Sequence, residues 1–122
     1  MLTAEKVRAA LDELAPTQEK VDLAVKTAIE IAAPSRVFIF GSWARGEATA
    51  DSDLDLAVLV PEERIGEIPE LRSQINRKLS QIRMSVDLIF VTEEYFAKFR
   101  SSINSIYYKI ANQGKLIYEQ SH

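Results

Sequence analysis

Three short apolar runs constrain this chain most: Val37 to Phe40, Leu54 to Val60 and Val86 to Val91. Four consecutive apolar residues, two of them aromatic, suit a short strand covered on both faces. Between and around the runs, apolar residues recur at helical spacing instead. Val7, Ala10, Leu11 and Leu14 form one such stripe, ended by Pro16. Thr17 is placed to cap a second helix with Val21, Ala24, Val25, Ala28 and Ile29 on its inner face, and Pro34 and Ser35 punctuate it. Leu71, Ile75, Leu79 and Ile82 mark another helix, with Arg72, Arg77, Lys78 and Arg83 on a face read as solvated. Thr92 predicts the start of a last helix, with Glu93 and Glu94 in its first turn and Phe96, Phe99, Ile103, Ile106, Tyr107 and Ile110 as its stripe. Gly114 is expected to close it, and Lys115 to Glu119 reads as a short fourth strand. Strands and helices alternate, so the expected class is α/β (α+β): a small mixed sheet of three to four strands with helices packed on it.

A chain of 122 residues suits one domain, with N-terminal helices over 1–33 and a core over 36–119. With 15 basic against 18 acidic residues, the net charge of −3 argues against holding nucleic acid by bulk electrostatics. There is no cysteine, and the single histidine is His122. Thiolate metal sites, cysteine nucleophiles, serine–histidine triads and histidine zinc sites are thereby excluded or improbable. What remains is chemistry by carboxylates, hydroxyls, Lys or Arg. Residues 1–20 are charged throughout and lack the apolar stretch of a signal peptide. No apolar run approaches the roughly 18 residues of a membrane span. A cytoplasmic setting fits both observations.

The chemistry concentrates in Phe40-Gly41-Ser42, then Asp53-Leu54-Asp55-Leu56. Side chains at i and i+2 of a strand share a face, so Asp53 and Asp55 project together while Leu54, Leu56 and Val58 point into the core. Two carboxylates side by side are costly without a partner, and a hard divalent cation resolves the conflict. Asp87 is the one charge within the third apolar run. If that strand lies beside the second, Asp87 completes a carboxylate triad suited to two-metal phosphoryl or nucleotidyl transfer, and can serve as base for an acceptor hydroxyl. Gly41 lets the backbone approach a ligand, and Ser42 with neighbouring amides can donate to phosphate oxygens. Arg45 has two open roles: a phosphate contact, or an ion pair with Glu47 or Asp51. Trp43 is read as packing, with a nucleotide or partner contact as the other reading. Tyr107, Tyr108 and Tyr118 are read as core or rim aromatics.

Two look-alikes fail on chemistry. Gly41 and Gly46 have the spacing of a Walker A loop, but Glu47-Ala48 stands where Lys and a hydroxyl residue are required. Asp51, Asp53 and Asp55 mimic the start of a calcium loop, but Leu56 replaces its glycine.

The residues Gly41-Ser42, ten residues, then Asp53-x-Asp55, followed by Asp87 in an apolar strand, resemble the DNA polymerase beta-type nucleotidyltransferase superfamily. The fuller string from Gly41 to Leu56 is similar to its small branch, the minimal nucleotidyltransferase domains that serve as antitoxins to helical HEPN ribonuclease toxins. The resemblance spans about Arg36 to Tyr118. It implies the polymerase-beta-type fold and Mg²⁺-dependent transfer of a nucleoside monophosphate from NTP, with pyrophosphate released. For the antitoxin branch it implies AMP transfer from ATP to a tyrosine hydroxyl of the toxin. It also implies Gly41 and Ser42 as triphosphate contacts, Asp53 and Asp55 as metal ligands, and Asp87 as the third catalytic carboxylate of a two-metal site. The short chain offers little room for an acceptor pocket, so the expected acceptor is a HEPN-type partner protein. Two further functions stay open at this point: a binding module that neutralises its partner without catalysis, and an enzyme acting on a free small molecule in the manner of antibiotic nucleotidyltransferases.

Overall fold

The computed structural model describes residues 18–49 and 52–121. The helix expected over Val7 to Leu14, the Thr17 cap and Asp51 lie outside the described residues. Within them the chain runs α1 (Gln18–Ala32), β1 (Arg36–Phe40), α2 (Gly41–Arg45) and β2 (Leu54–Val60). A 3-10 turn (Glu62–Glu67) leads into α3 (Ile68–Leu79), β3 (Val86–Thr92), α4 (Glu93–Phe99), α5 (Ile106–Gln113) and β4 (Lys115–Glu119).

The strands form one mixed sheet in the order β3-β2-β1-β4. β2 and β3 run parallel, while β1 is antiparallel to both β2 and β4. The parallel pair needs a crossover, and α3 supplies it. The fourth strand and the mixed sheet agree with the sequence-based expectation.

Alternation along β2 decides which helices go where. Leu54, Leu56, Val58 and Val60 face one side and pack with Val21, Ala24 and Ala28 of α1 and with Leu71, Ile75 and Leu79 of α3. Ala57 and Leu59 face the other side with Phe38, Phe40, Phe96 and Ile110. Six of the seven β2 residues, all but Asp55, are wholly buried. Asp55 shares the second face, so a one-residue slip would drive its carboxylate into the α1–α3 core.

Two expectations need correction. The last helix is not continuous. It stops at Phe99 and restarts at Ile106. The Ser105 hydroxyl accepts from the Tyr108 amide at 3.1 Å and donates to the carbonyls of Phe99 and Ser102. Short hydroxyl side chains that bond local backbone compete with helix in this way. Ile103, expected on the apolar stripe, is 73% exposed as a result. The basic face of α3 is not uniformly solvated either. Arg72 donates from Nη1 to the Leu88 carbonyl at 2.9 Å and lies over the Phe90 ring, covering part of the outer edge of β3.

Gly114 does follow the final helix, but in extended rather than left-handed backbone. Its value is closeness: a Cβ there would sit 2.5 Å from the Ile110 carbonyl and 3.2 Å from that of Ile39. The end of α5 thus lies directly against β1.

Candidate active site

Where β1 ends and β2 begins, the second face of the sheet is not filled by apolar side chains. α4 and α5 cover only its later part, through Phe96 and Ile110. A cavity of about 490 Å³ remains beside Phe40. Gly41, Arg45, Asp55 and Asp87 form its wall from the sheet and α2. Asn104, Ile106, Lys109 and Gln113 form the wall from the loop before α5 and from α5 itself.

Backbone register places the acids. Asp55 of β2 pairs with Asp87 of the parallel β3, and Phe40 of β1 pairs with Asp55. In a parallel pair, register partners point to the same face, so the two carboxylates stand side by side. Asp53 directly precedes β2 and is exposed. It does not line the cavity, yet its charge reaches Asp55. The Asp55 carboxyl is raised above its ordinary value by burial first, then by Asp87, then by Asp53, against a smaller lowering by Arg45.

Gly41 is the position where the backbone conformation and the acid meet. Its φ is +70°, in the left-handed region, and a Cβ would strike Oδ2 of Asp55. Glycine therefore lets the turn from β1 into α2 lie on top of the carboxylate. Ser42 follows, half-buried and outside the cavity lining, and its carbonyl accepts from the Glu47 amide at 2.9 Å. Gly46 then closes α2 in left-handed backbone. Arg45 is paired with Glu47, Nε to Oε2 at 3.1 Å, while still lining the cavity. Trp43 packs against the α1–α3 core, with its indole nitrogen buried and unbonded.

The structure thus brings Asp55 and Asp87 together with Gly41 and Arg45, and sets Asp53 at the entrance to the strand. Among the described residues, no three acidic, histidine or cysteine side chains enclose a metal position by themselves. The donor set still fits Mg²⁺, which takes one or two carboxylates and fills its shell with water and phosphate oxygens. A raised carboxyl among like charges is what such a cation would relieve. Asn104, Ile106, Lys109 and Gln113 were not legible as site residues. Ile106 read as core stripe, and the other three carry no motif.

A family model described as polymerase beta, nucleotidyltransferase, matches residues 23–122. The chain belongs to this family. The match therefore spans the whole sheet, α2 to α5 and all but the first five residues of α1. Among solved structures, a chain from a toxin–antitoxin structure with AMP-PNP matches at TM-score 0.53 and 24% identity, covering 80% of this chain and 73% of that one. It shares the fold. A protein from Sulfolobus solfataricus, described as a nucleotidyltransferase, matches at TM-score 0.48 and 20% identity, over 86% of this chain and 91% of that one. No curated protein matches. Among the described residues, no helix is long and apolar enough to cross a membrane.

Proposed function

We propose that this nucleotidyltransferase is an antitoxin that transfers AMP from ATP to a tyrosine hydroxyl of a HEPN-type toxin. The observation that carries the transferase chemistry is the Asp55–Asp87 register pair in an open cavity under Gly41. The antitoxin assignment draws support from the similarity to the toxin–antitoxin chain with AMP-PNP and from the minimal-domain string between Gly41 and Leu56. A cytoplasmic setting belongs to the same reading, supported by the absence of cysteine.

In this reading Asp53, at the strand entrance, and Asp55 and Asp87 would hold Mg²⁺. When bound, the ion supplies charge neutralisation for the polyphosphate and Lewis-acid polarisation. Gly41 and Ser42 contact the triphosphate. The acceptor oxygen attacks the α-phosphorus, forming a P–O bond. The bond to the bridging oxygen breaks, and pyrophosphate leaves with that electron pair. Asp87, exposed at the cavity edge, takes the hydroxyl proton.

The test is incubation with Mg²⁺, labelled ATP and the partner toxin. Label is expected on a partner tyrosine, and it should vanish with Asp53→Asn, Asp55→Asn or Asp87→Asn. An unlabelled partner sinks the protein-acceptor reading. If the partner is neutralised equally well by Asp55→Asn, the chain acts by binding alone. Pyrophosphate release with a small hydroxylated acceptor and no second protein would instead mark a small-molecule enzyme.

A further inference from the structure

The helical wall of the cavity carries a cation that the motif does not account for. Lys109 lines the same cavity as Asp55 and Asp87. Among the described residues its ammonium has no ion-pair or hydrogen-bond partner. The cavity's other cation, Arg45, is already bonded to Glu47 at 3.1 Å. An ordinary surface lysine points away into water, whereas this one borders a concavity whose far wall is acidic.

Its position is fixed from both ends of α5. Ser105 caps the start of the helix, and Gly114 holds its end against the Ile39 carbonyl. Ile110 is wholly buried in between. Ile106, Lys109 and Gln113 fall at i, i+3 and i+7, so one helix face presents all three to the cavity. The break at residues 100–105 makes α5 a helix separate from α4.

The acids and the lysine divide a ligand between them. Carboxylates repel an anion unless a cation intervenes, and a triphosphate carries more negative charge than one divalent ion offsets. A lysine ammonium is a compact point charge suited to phosphate oxygens. We propose that Lys109 is a polyphosphate-binding residue that grips the nucleotide from the α5 wall and gives the site its preference for triphosphates over monophosphates. The inference rests on the nucleotidyltransferase reading of the same cavity.

The experiment is calorimetric titration of the full chain, in Mg²⁺, with a non-hydrolysable ATP analogue and with AMP. Lys109→Met, which keeps the length and removes the charge, should weaken the triphosphate analogue on the order of tenfold to a hundredfold. Its AMP affinity should stay within about twofold, since AMP lacks the phosphates that the lysine holds. Lys109→Arg should restore most of the loss, and Lys26→Met on the distant α1 should change nothing. Unchanged triphosphate affinity in Lys109→Met overturns the inference, and so does an equal loss for AMP and the analogue. If the unsubstituted chain binds no triphosphate at all, the nucleotidyltransferase reading itself falls and the inference goes with it.

Discussion

Asp55 is placed where function is served at the expense of stability. Burial and two neighbouring carboxylates raise its pKa in the folded chain. A group raised on folding contributes stability below its unfolded pKa and loses it as pH rises through the folded one. The unliganded protein should therefore weaken as pH rises above the ordinary aspartate range, and Asp55→Asn should remove that component. Its melting temperature near neutral pH should rise by a few degrees while transferase activity is lost, which thermal unfolding and the labelling assay can check together. A melting temperature that falls would show that the carboxylate is paired more strongly than the geometry indicates. Gly41→Ala acts on the same acid from the other side. It forces a side chain into left-handed backbone at a cost of about 1–2 kcal/mol and displaces the Asp55 carboxylate. Denaturant unfolding should show that loss, together with a fall in activity larger than the stability change explains. Both residues stood out in the sequence, Asp55 as a carboxylate within an apolar strand and Gly41 as the glycine before Ser42 where the first apolar run ends. The contact between them did not, since the motif's spacing does not say that the turn at position 41 lies against the carboxylate at 55.

Between elements, one ion pair ties the start of β1 to the start of α4. Arg36 donates to Glu93 from Nε and Nη2, the shorter bond being 2.6 Å, and the Ser35 hydroxyl donates to the same carboxylate at 2.7 Å. The guanidinium also lies over the rings of Phe38 and Phe96, at 5.3 and 5.4 Å. Burial is the strongest influence on Glu93 and pushes its pKa up. The bonds from Arg36 and Ser35 together outweigh it, and the net value is lowered. A lowered acid contributes stability above its unfolded pKa and loses it as pH falls through the folded one. Arg36→Met removes the guanidinium and leaves burial opposed only by the Ser35 bond, so the Glu93 pKa should rise. Stability near neutral pH should drop by about 1–3 kcal/mol. The acid-side loss should also shrink, because the gap between the unfolded and folded Glu93 pKa narrows, as read from denaturant midpoints across a pH series. An unchanged pH profile would mean that Glu93 finds another partner. The sequence offered Glu93 only as a first-turn acid of a helix, because a helix start shows its local dipole and not its partner 57 residues away. It also hid the break in the last helix. Apolar residues at helical spacing continue through Ile103 and past it, while Ser105 bonds the local backbone and the helix stops at Phe99.

At the scale of the molecule, the sheet is an asymmetric support. One face is filled end to end by α1 and α3, and the other is filled only past the point where Asp55 and Asp87 stand. Element types, their order and the carboxylate face were readable because apolar runs and periodicity encode them directly. The sheet order, the antiparallel course of β1 and the α5 wall were not, because they depend on which surfaces meet. The cavity concentrates negative charge on one wall, so the folded chain has much to gain from a cation and a nucleotide together and little from a nucleotide alone. Anything that binds only the native state stabilises it by RT ln(1 + [L]/Kd), about 2.7 kcal/mol at a hundredfold excess over Kd. Mg²⁺ with a non-hydrolysable ATP analogue should therefore raise the melting temperature by several degrees, whereas the analogue in excess chelator should leave it nearly unchanged. Asp55→Asn should lose most of the Mg²⁺-dependent part of the shift, since the ion then has one fewer carboxylate oxygen donor of full charge. A shift of equal size with chelator present would place the nucleotide on the basic residues alone. The aspartates would then serve the chemical step and not the binding of substrate.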